Sequence, residues 1–344
     1  MNQRPAIWFP TVRAGTGTDV FTESLVEEII KRGFRAEITW LPLRAEYAPW
    51  TVAIPPQPAW ANVVHVNTWL HPRFIPPRAA VVATLHHSIH HRDLEPYKGR
   101  LRSAYHRLWI RTIERRTILR SDRLVAVSRF AAETARSTLV DRPFLVIYNG
   151  VDTTRFSCEP QLGRSHRPFR LLYVGSWIAR KGVELLEPVM RELGPDFELL
   201  YTGGDGNSSC MPTNATNLGR LKGPKAVASA MRSADALIFP SRSEGLPLTV
   251  LEAMACSLPV ICSQSSSLPE IVLDGTTGIL CPAGDVAAFA DAVRLMSQRV
   301  QLASKMGAAG RARVESEFSM NKTVDEYLAC YSELLTDTSI TRNR

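Results

Sequence analysis

Short apolar, β-branched runs recur along the chain, each followed by a turn and then by a stretch with helical spacing. AIWFP leads through a glycine-containing loop into DVFTESLVEEIIKRG, a helix ended by Gly33. VVHVN and AVVATLHH are short buried strands, and RLVAVS and FLVIYNG follow a long basic helix. After the polar stretch EPQLGRSHRP the pattern restarts with RLLYVGS, FELLYTGG, ALIFPS, LPVICS and GILCPA. Strands alternating with helices predict an α/β fold of parallel sheets with helices on both faces. Two such series predict two doubly wound, Rossmann-like domains, 1–163 and 164–318. A last helix over 319–335 is expected to pack back on the first domain, with a flexible tail at 336–344. One long helix is expected over about 285–307. Ligands bind such sheets off the C-terminal strand ends, and here also in an interdomain cleft.

Composition bounds the picture without sharpening it. The 344 residues suit two cores better than one, and 45% hydrophobic with 22% charged residues is ordinary for a globular protein. No run of about eighteen apolar residues predicts a spanning helix. MNQRPAIWFP lacks the features of a secretory signal. The six cysteines form no CxxC and several lie in apolar runs, as reduced thiols do, which points to a cytoplasmic protein. The net charge of +8 suits anionic partners such as nucleotides, nucleic acid or acidic lipid without choosing among them.

The stretch PSRSEGLPLTVLEAMACSLPVI holds two carboxylates eight residues apart, Glu244 and Glu252. ALIFPS is a strand, so Glu244 lies in the loop at its C-terminal end. Pro247 suits the first turn of the helix that follows. The free amides of Leu248 and Thr249 would then form a phosphate site. The two carboxylates could accept hydrogen bonds from sugar hydroxyls on either side of it. A turn residue and a surface charge would give the same spacing.

With its surroundings, this stretch resembles the retaining glycosyltransferases of family 4, which have the GT-B fold of two facing Rossmann-like domains. Their two glutamates, commonly within EGxPxxxxEAMAxGxPVI, read here EGLPLTVLEAMACSLPVI. Further matches run in order: RAGTGTDVFTESL, TLHHS, LVAVSRF, VIYNGVDTTRF, YVGSWIARKG, GGDG, NLGRL, SADALIFPS and PEIVLDGTTGIL. They cover most of residues 1–330 and are most specific in the second half. The resemblance implies that Glu252 binds the nucleotide ribose and Glu244 contacts the transferred sugar. Gly245, Leu246 and Pro247 would line the sugar and phosphate pocket. Gly219, Arg220 and Leu221, within NLGRL, are carried over as donor-binding residues.

Two adjacent cations, Arg180 and Lys181, follow the turn of YVGSWIARKG and could neutralise a diphosphate. The commonest family pattern has Arg directly after the glycine, where this chain has Ser176; whether Arg180 replaces it is open at this level. Gly15 and Gly17 in RAGTGTD would let backbone approach a donor phosphate or acceptor, although a tight turn explains them as well. HHSIHH offers histidine pairs with metal-like spacing but no companion cysteine cluster or HExxH, so no metal is expected. By resemblance His86 is the active-site histidine facing the transferred sugar, and His87 stands where the family often has Asp.

Residues 98–123 hold nine cations against Glu114 and Asp122. Arg107, Arg111 and Arg115 recur at i,i+4 as a stripe, with Leu101, Tyr105, Leu108 and Trp109 on an apolar side. Such a helix suits an anionic membrane surface or a lipid-linked acceptor, and equally a solvated face over core. No nucleic-acid-binding signature accompanies it.

Together these features imply transfer of a hexose-type sugar from a nucleoside-diphosphate sugar to a glycan or lipid-linked acceptor. His86, Glu244, Arg180 and Lys181 would serve the reaction, with no cofactor and no metal. A surface-polysaccharide or lipopolysaccharide acceptor and a place on the inner face of the cytoplasmic membrane are expected from the resemblance. A nucleotide-sugar epimerase, or a non-catalytic sugar-nucleotide or lipid-binding subunit, would use the same pocket. The sequence gives no oligomeric state.

Overall fold

The computed structural model describes residues 4–157, 168–203 and 211–337. Most of the EPQLGRSHRP stretch, Gly204–Gly206 of the GGDG turn, Cys158, Cys210 and the tail beyond 337 lie outside them. The chain divides into two compact units: Met1–Asn149 with Met320–Arg344, and Gly150–Ser319. The break falls before the expected 163/164. Val151 N–H donates to the Phe318 carbonyl at 2.9 Å and Arg311 Nη1 to the Phe156 carbonyl at 3.3 Å, which ties 150–157 to the second unit.

The first unit holds a parallel sheet of β1 (Ala6–Val12), β2 (Arg35–Leu41), β3 (Val63–Asn67), β4 (Ala80–Leu85), β5 (Arg123–Ala126) and β6 (Leu145–Val146), in the order β2-β1-β3-β4-β5-β6. β3 and β4 are buried along their whole length, as their mostly apolar sequences suit, and their polar members His65, Asn67 and Thr84 are hydrogen-bonded. Register runs from Val63 opposite Ala80 to Asn67 opposite Thr84. The last helix, Met320–Thr336, belongs to this unit. His65 of β3 links it to the sheet, bonding Tyr331 Oη at 2.6 Å and Thr84 Oγ at 2.7 Å.

The second unit repeats the plan with β7 (Phe169–Tyr173), β8 (Phe197–Tyr201), β9 (Ala215–Asn217), β10 (Ala236–Phe239), β11 (Val260–Ser263) and β12 (Gly278–Cys281), in the order β12-β11-β10-β7-β8-β9. The sheet therefore reverses direction of growth between β7 and β10, where a crevice opens at the C-terminal strand ends.

Three local expectations change. The helix over 285–307 is two helices, Val286–Gln298 and Val300–Glu317, joined at non-helical Arg299. The apolar spacing runs through the joint unaltered; the turn lets Ala303 and Met306 reach the same core as Phe289 and Val293. Pro247 is the cap, with ψ 118°, and the helix begins at Leu248. The basic helix is interrupted: Arg100–Tyr105, a π-turn over His106–Ile110, then Arg111–Arg120. The wider turn breaks the i,i+4 stripe of Arg107, Arg111 and Arg115. Arg107 and Arg115 remain exposed, while Arg111 is half-buried with Nε bonded to the Thr138 carbonyl at 3.1 Å.

Among the described residues, Cys256, Cys262, Cys281 and Cys330 are buried thiols. No described helix is long and apolar enough to cross a membrane.

Candidate active site

The crevice of the second unit lies between the loops that follow β7 and β10. From the β10 side comes Glu244, 6% exposed. Its Oε1 accepts from Lys181 Nζ at 2.6 Å and from Ser241 Oγ, and Arg180 Nη1 stands 3.5 Å from Oε2. Burial alone would raise this carboxyl. Lys181 and Arg180, with the two hydrogen bonds, overcome it and hold Glu244 at about 2. Three consecutive serines brace the same loop. Ser265 Oγ donates to the Ser241 carbonyl at 2.9 Å, Ser266 Oγ accepts from Glu244 N–H at 2.9 Å, and Ser267 Oγ donates to the Glu244 carbonyl at 3.3 Å. Ser266 sits at φ 49°, a left-handed conformation uncommon outside glycine.

From the β7 side come Arg180 and Lys181, on a short 3-10 turn Ala179–Lys181. Arg180 also donates to the Ser243 carbonyl, so its guanidinium spans the loop that carries Glu244. Ser176 is exposed, and its backbone carbonyl accepts from Tyr173 Oη and from Ile178 N–H, each at 3.0 Å. Arg180 thus places a guanidinium beside Glu244, where Ser176 carries no charge. Gly182 allows the two loops to meet. Its φ is +67° and a Cβ there would lie 2.1 Å from the Pro240 carbonyl oxygen.

Gly245, Leu246 and Pro247 are buried beneath the loop, and Leu248 and Thr249 are half-buried at the first helical positions. Those amides have no intrahelical acceptor. Glu252, one turn on, is half-buried, and its carboxyl has no hydrogen bond or ion pair among the described residues; burial pushes it up to about 7. Gly219, Arg220 and Leu221 follow edge strand β9 at the same end of the sheet, with Gly219 N–H bonded to Asn217 Oδ1 at 2.9 Å. No hydrogen bond or ion pair joins them to Glu244 among the described residues.

The first unit reverses between β1 and β3, and the cavity there is lined by Phe9, Thr11, Phe21, Thr22, Leu25, His65, Asn67 and His86. His86 packs edge-on against Phe21 at 5.6 Å between ring centroids, and burial pushes it down to about 4. Burial, and then neighbouring His86, push His65 down to about 3, so both rings are neutral near pH 7. The glycine loop after β1 is occupied from within. Asp19 Oδ2, in the first turn of helix Gly17–Lys31, accepts from Ala14 N–H at 3.0 Å and Gly15 N–H at 2.7 Å. Gly15 is needed for its φ of +69°, whereas a Cβ at Gly17 would meet nothing within 4 Å.

His90 of the HHSIHH stretch pairs with an acidic residue. Its Nε2 bonds Glu114 Oε2 at 2.7 Å, and Glu114 Oε1 accepts from Thr68 Oγ at 3.1 Å. No group of three or more His, Cys, Asp or Glu suited to a metal ion occurs among the described residues. Asp19, the serine trio, His65 and Glu114 carry no sequence signal strong enough to single them out. Only the repetition in SQSSSLPE, at the end of the LPVICS strand, could have drawn attention to the serines.

Comparison with known proteins fits this geometry. The description Glycosyltransferase Family 4 matches residues 57–155, and Glycosyl transferases group 1 matches residues 168–299. The chain belongs to this glycosyltransferase family. A glycosyltransferase of Methanocaldococcus jannaschii is 30% identical over 62% of this chain and 60% of its own length. A glycogen synthase of Mycobacterium tuberculosis is 29% identical over 78% and 69%. A GDP-mannose-dependent phosphatidylinositol monomannoside mannosyltransferase of Mycolicibacterium smegmatis is 30% identical over 54% of each. The chain therefore spans between about half and two-thirds of the length of these relatives. Among solved structures, a sucrose-phosphate synthase of Thermosynechococcus elongatus superposes with a TM-score of 0.80 at 19% identity, over 97% of this chain and 100% of that one. An Anabaena protein solved with UDP and glucose gives 0.71 at 14%, over 95% and 99%. The glycosyltransferase fold is GT-B, with two Rossmann-like parallel sheets.

Proposed function

We propose that this glycosyltransferase moves a hexose-type sugar from a nucleoside-diphosphate sugar to a hydroxyl of a glycan or lipid-linked saccharide, with retained anomeric configuration. Bacterial surface-polysaccharide or lipopolysaccharide assembly is the setting this reading favours. The observation that carries it is the buried, ionised Glu244 held by Lys181 and Arg180 at the sheet reversal, beside the open amides of Leu248 and Thr249. Two cations against one carboxylate leave that cluster with a net positive charge, and the helix end adds its dipole, which suits a departing diphosphate.

Each side chain then has a task. Arg180, Lys181 and the two amides take up the diphosphate charge, so the reaction uses no cofactor and no metal ion. Glu252 accepts from the ribose hydroxyls, which suits a carboxyl without a hydrogen-bond or ion-pair partner among the described residues. Glu244 accepts from a hydroxyl of the sugar and opposes the positive charge developing at its anomeric carbon. His86, as a neutral imidazole, bonds a hydroxyl without adding charge. The bond from the anomeric carbon to the phosphate oxygen breaks as the acceptor oxygen bonds to that carbon from the same face. The acceptor's proton passes to the departing phosphate, so no protein nucleophile is required. The relatives and solved neighbours named above support a UDP or GDP donor.

A thermal-shift screen of nucleoside diphosphates and their sugars tests this. A ligand of the folded state raises the melting temperature by mass action, and a UDP or GDP compound is expected to do so. Failure of every nucleoside diphosphate and nucleotide sugar to shift it would overturn the reading.

A further inference from the structure

We propose that the last helix positions His86: Tyr327 and Tyr331, with His65 and Thr84, form a buried relay that holds this imidazole at the mouth of the first crevice. The proposal rests on the role in sugar transfer assigned to His86.

Strand register puts the residues concerned on one face of the first sheet. Val63 stands opposite Ile7, His65 opposite Val82 and Asn67 opposite Thr84. Alternation along each strand then gives that face Phe9 and Thr11, His65 and Asn67, and Thr84 followed by His86. Thr11, Asn67 and His86 form its outer row and line the cavity, beside Phe21 of helix Gly17–Lys31. Phe9, His65 and Thr84 form the row before it, and all three are buried.

The inner row is bonded to the last helix. His65 Nδ1 bonds Tyr331 Oη at 2.6 Å, its Nε2 bonds Thr84 Oγ at 2.7 Å, and Thr84 Oγ bonds Tyr327 Oη at 3.2 Å. A neutral imidazole has one N–H and one lone pair, so the relay runs in either direction with both ring nitrogens satisfied. The helix itself is held at both ends. Arg32 Nη2 donates to the Asn321 carbonyl at 3.0 Å and Thr323 Oγ to the Tyr148 carbonyl at 2.9 Å, while Arg123 pairs with Asp337 at 2.8 Å.

His86 has no such bond. Its imidazole makes no hydrogen bond or ion pair among the described residues, and its ring contact is with Phe21 at 5.6 Å. Phe21 in turn packs against Tyr327 at 6.4 Å, and Tyr327 against His65 at 5.3 Å. Two routes therefore lead from the last helix to His86. One runs through the Tyr327 and Phe21 rings, the other through Thr84, two residues earlier in the chain. Close packing passes a shift of the helix to the imidazole, and small misplacements of a substrate contact cost rate steeply.

Long-range proton–nitrogen spectra of the imidazoles test this in the full chain, with His86 assigned by the signals that His86→Asn removes. Tyr327→Phe with Tyr331→Phe deletes two hydroxyls and keeps both rings, and Thr84→Val deletes the hydroxyl between them. In each variant the His86 signals should shift or broaden, while those of His71, stacked on Trp109, stay as in the parent. Thr84→Ser should restore the parent spectrum. Hydrolysis of the nucleotide sugar that most raises the melting temperature reads the consequence. The tyrosine pair should lower its kcat about tenfold, and should cost nothing further in a His86→Asn background, because the two changes act through one group. Nucleoside-diphosphate affinity should stay as in the parent. His86 signals unmoved by the tyrosine pair, or the same fractional loss of kcat in both backgrounds, would overturn the proposal alone. A His86→Asn chain as active as the parent would overturn the role of His86 and the proposal with it.

Discussion

The two parallel sheets reverse at equivalent places, yet the crevices that result differ in electrostatics. Between β1 and β3, Thr11, Asn67, His65 and His86 line a cavity with aromatic neighbours, and both imidazoles are held neutral by burial. Between β7 and β10, Lys181, Arg180 and Glu244 form a mostly buried cluster in which mutual attraction outweighs the cost of burial. The glycine loop sharpens the contrast, because in the first unit Asp19 fills the amides that in the second unit's helix Leu248–Ala255 stay open. Two parallel sheets that each reverse once thus carry different strand-end chemistry, neutral imidazoles in the first unit and a charged cluster in the second.

The largest expected effect comes from discharging the charged crevice. Glu244→Gln leaves Lys181 and Arg180 buried without their counter-charge, at a cost of about 3 kcal/mol of stability. It should also lower kcat about a hundredfold. Denaturant unfolding and steady-state kinetics check both; a variant as stable and active as the parent would erase the distinction between the crevices. Because Glu244 lies below its ordinary value, its contribution is present above pH about 4.5 and is lost as pH falls toward about 2. Glu244→Gln should therefore flatten that part of the acid-unfolding curve.

Next in size is Gly182→Ala, whose Cβ would overlap the Pro240 carbonyl oxygen in a left-handed conformation. A loss of about 2 kcal/mol or more is expected by urea unfolding. The corresponding change in the first unit, Gly17→Ala, meets open space and should change stability by less than about 0.5 kcal/mol.

Glu252 gives a smaller, pH-dependent effect. Its carboxyl is raised to about 7, so the stability it contributes is full below pH about 4.5 and lost as pH rises through about 7. Nucleotide affinity should move the other way, rising as the carboxylate forms. Glu252→Gln should abolish both slopes, as melting and titration across pH 5–9 would show. The smallest effect is expected at His86, whose value of about 4 leaves it neutral over the same range. The pH profile of kcat/KM should carry no inflection near 6.5 that His86→Asn removes; finding one would place a protonated imidazole in the first crevice.

Much of this site was legible because its chemistry sits in contiguous strand-end stretches. EGLPLTVLE and ARKG name the carboxylates, the cations and the helix start, and the structure brings Arg180, Lys181 and Glu244 into contact. The alternation of apolar runs and helices likewise showed two parallel sheets. What stayed hidden depends on residues distant in sequence or generic in type. His65 finds Tyr331 across 266 positions, and no local pattern encodes that pairing. Ser265, Ser266 and Ser267 look like ordinary loop until their bonds to residues 241–244 are seen. The breaks at Arg299 and in the π-turn leave hydrophobic spacing intact, so periodicity passes through them.

The central claim is that Lys181 belongs to a diphosphate site. Isothermal titration of the nucleoside diphosphate that most raises the melting temperature, into the parent chain and into folded Lys181→Ala, tests it most directly. The account predicts that the variant binds about tenfold or more weakly, and less so as salt is added. Equal affinity in the two proteins would contradict it.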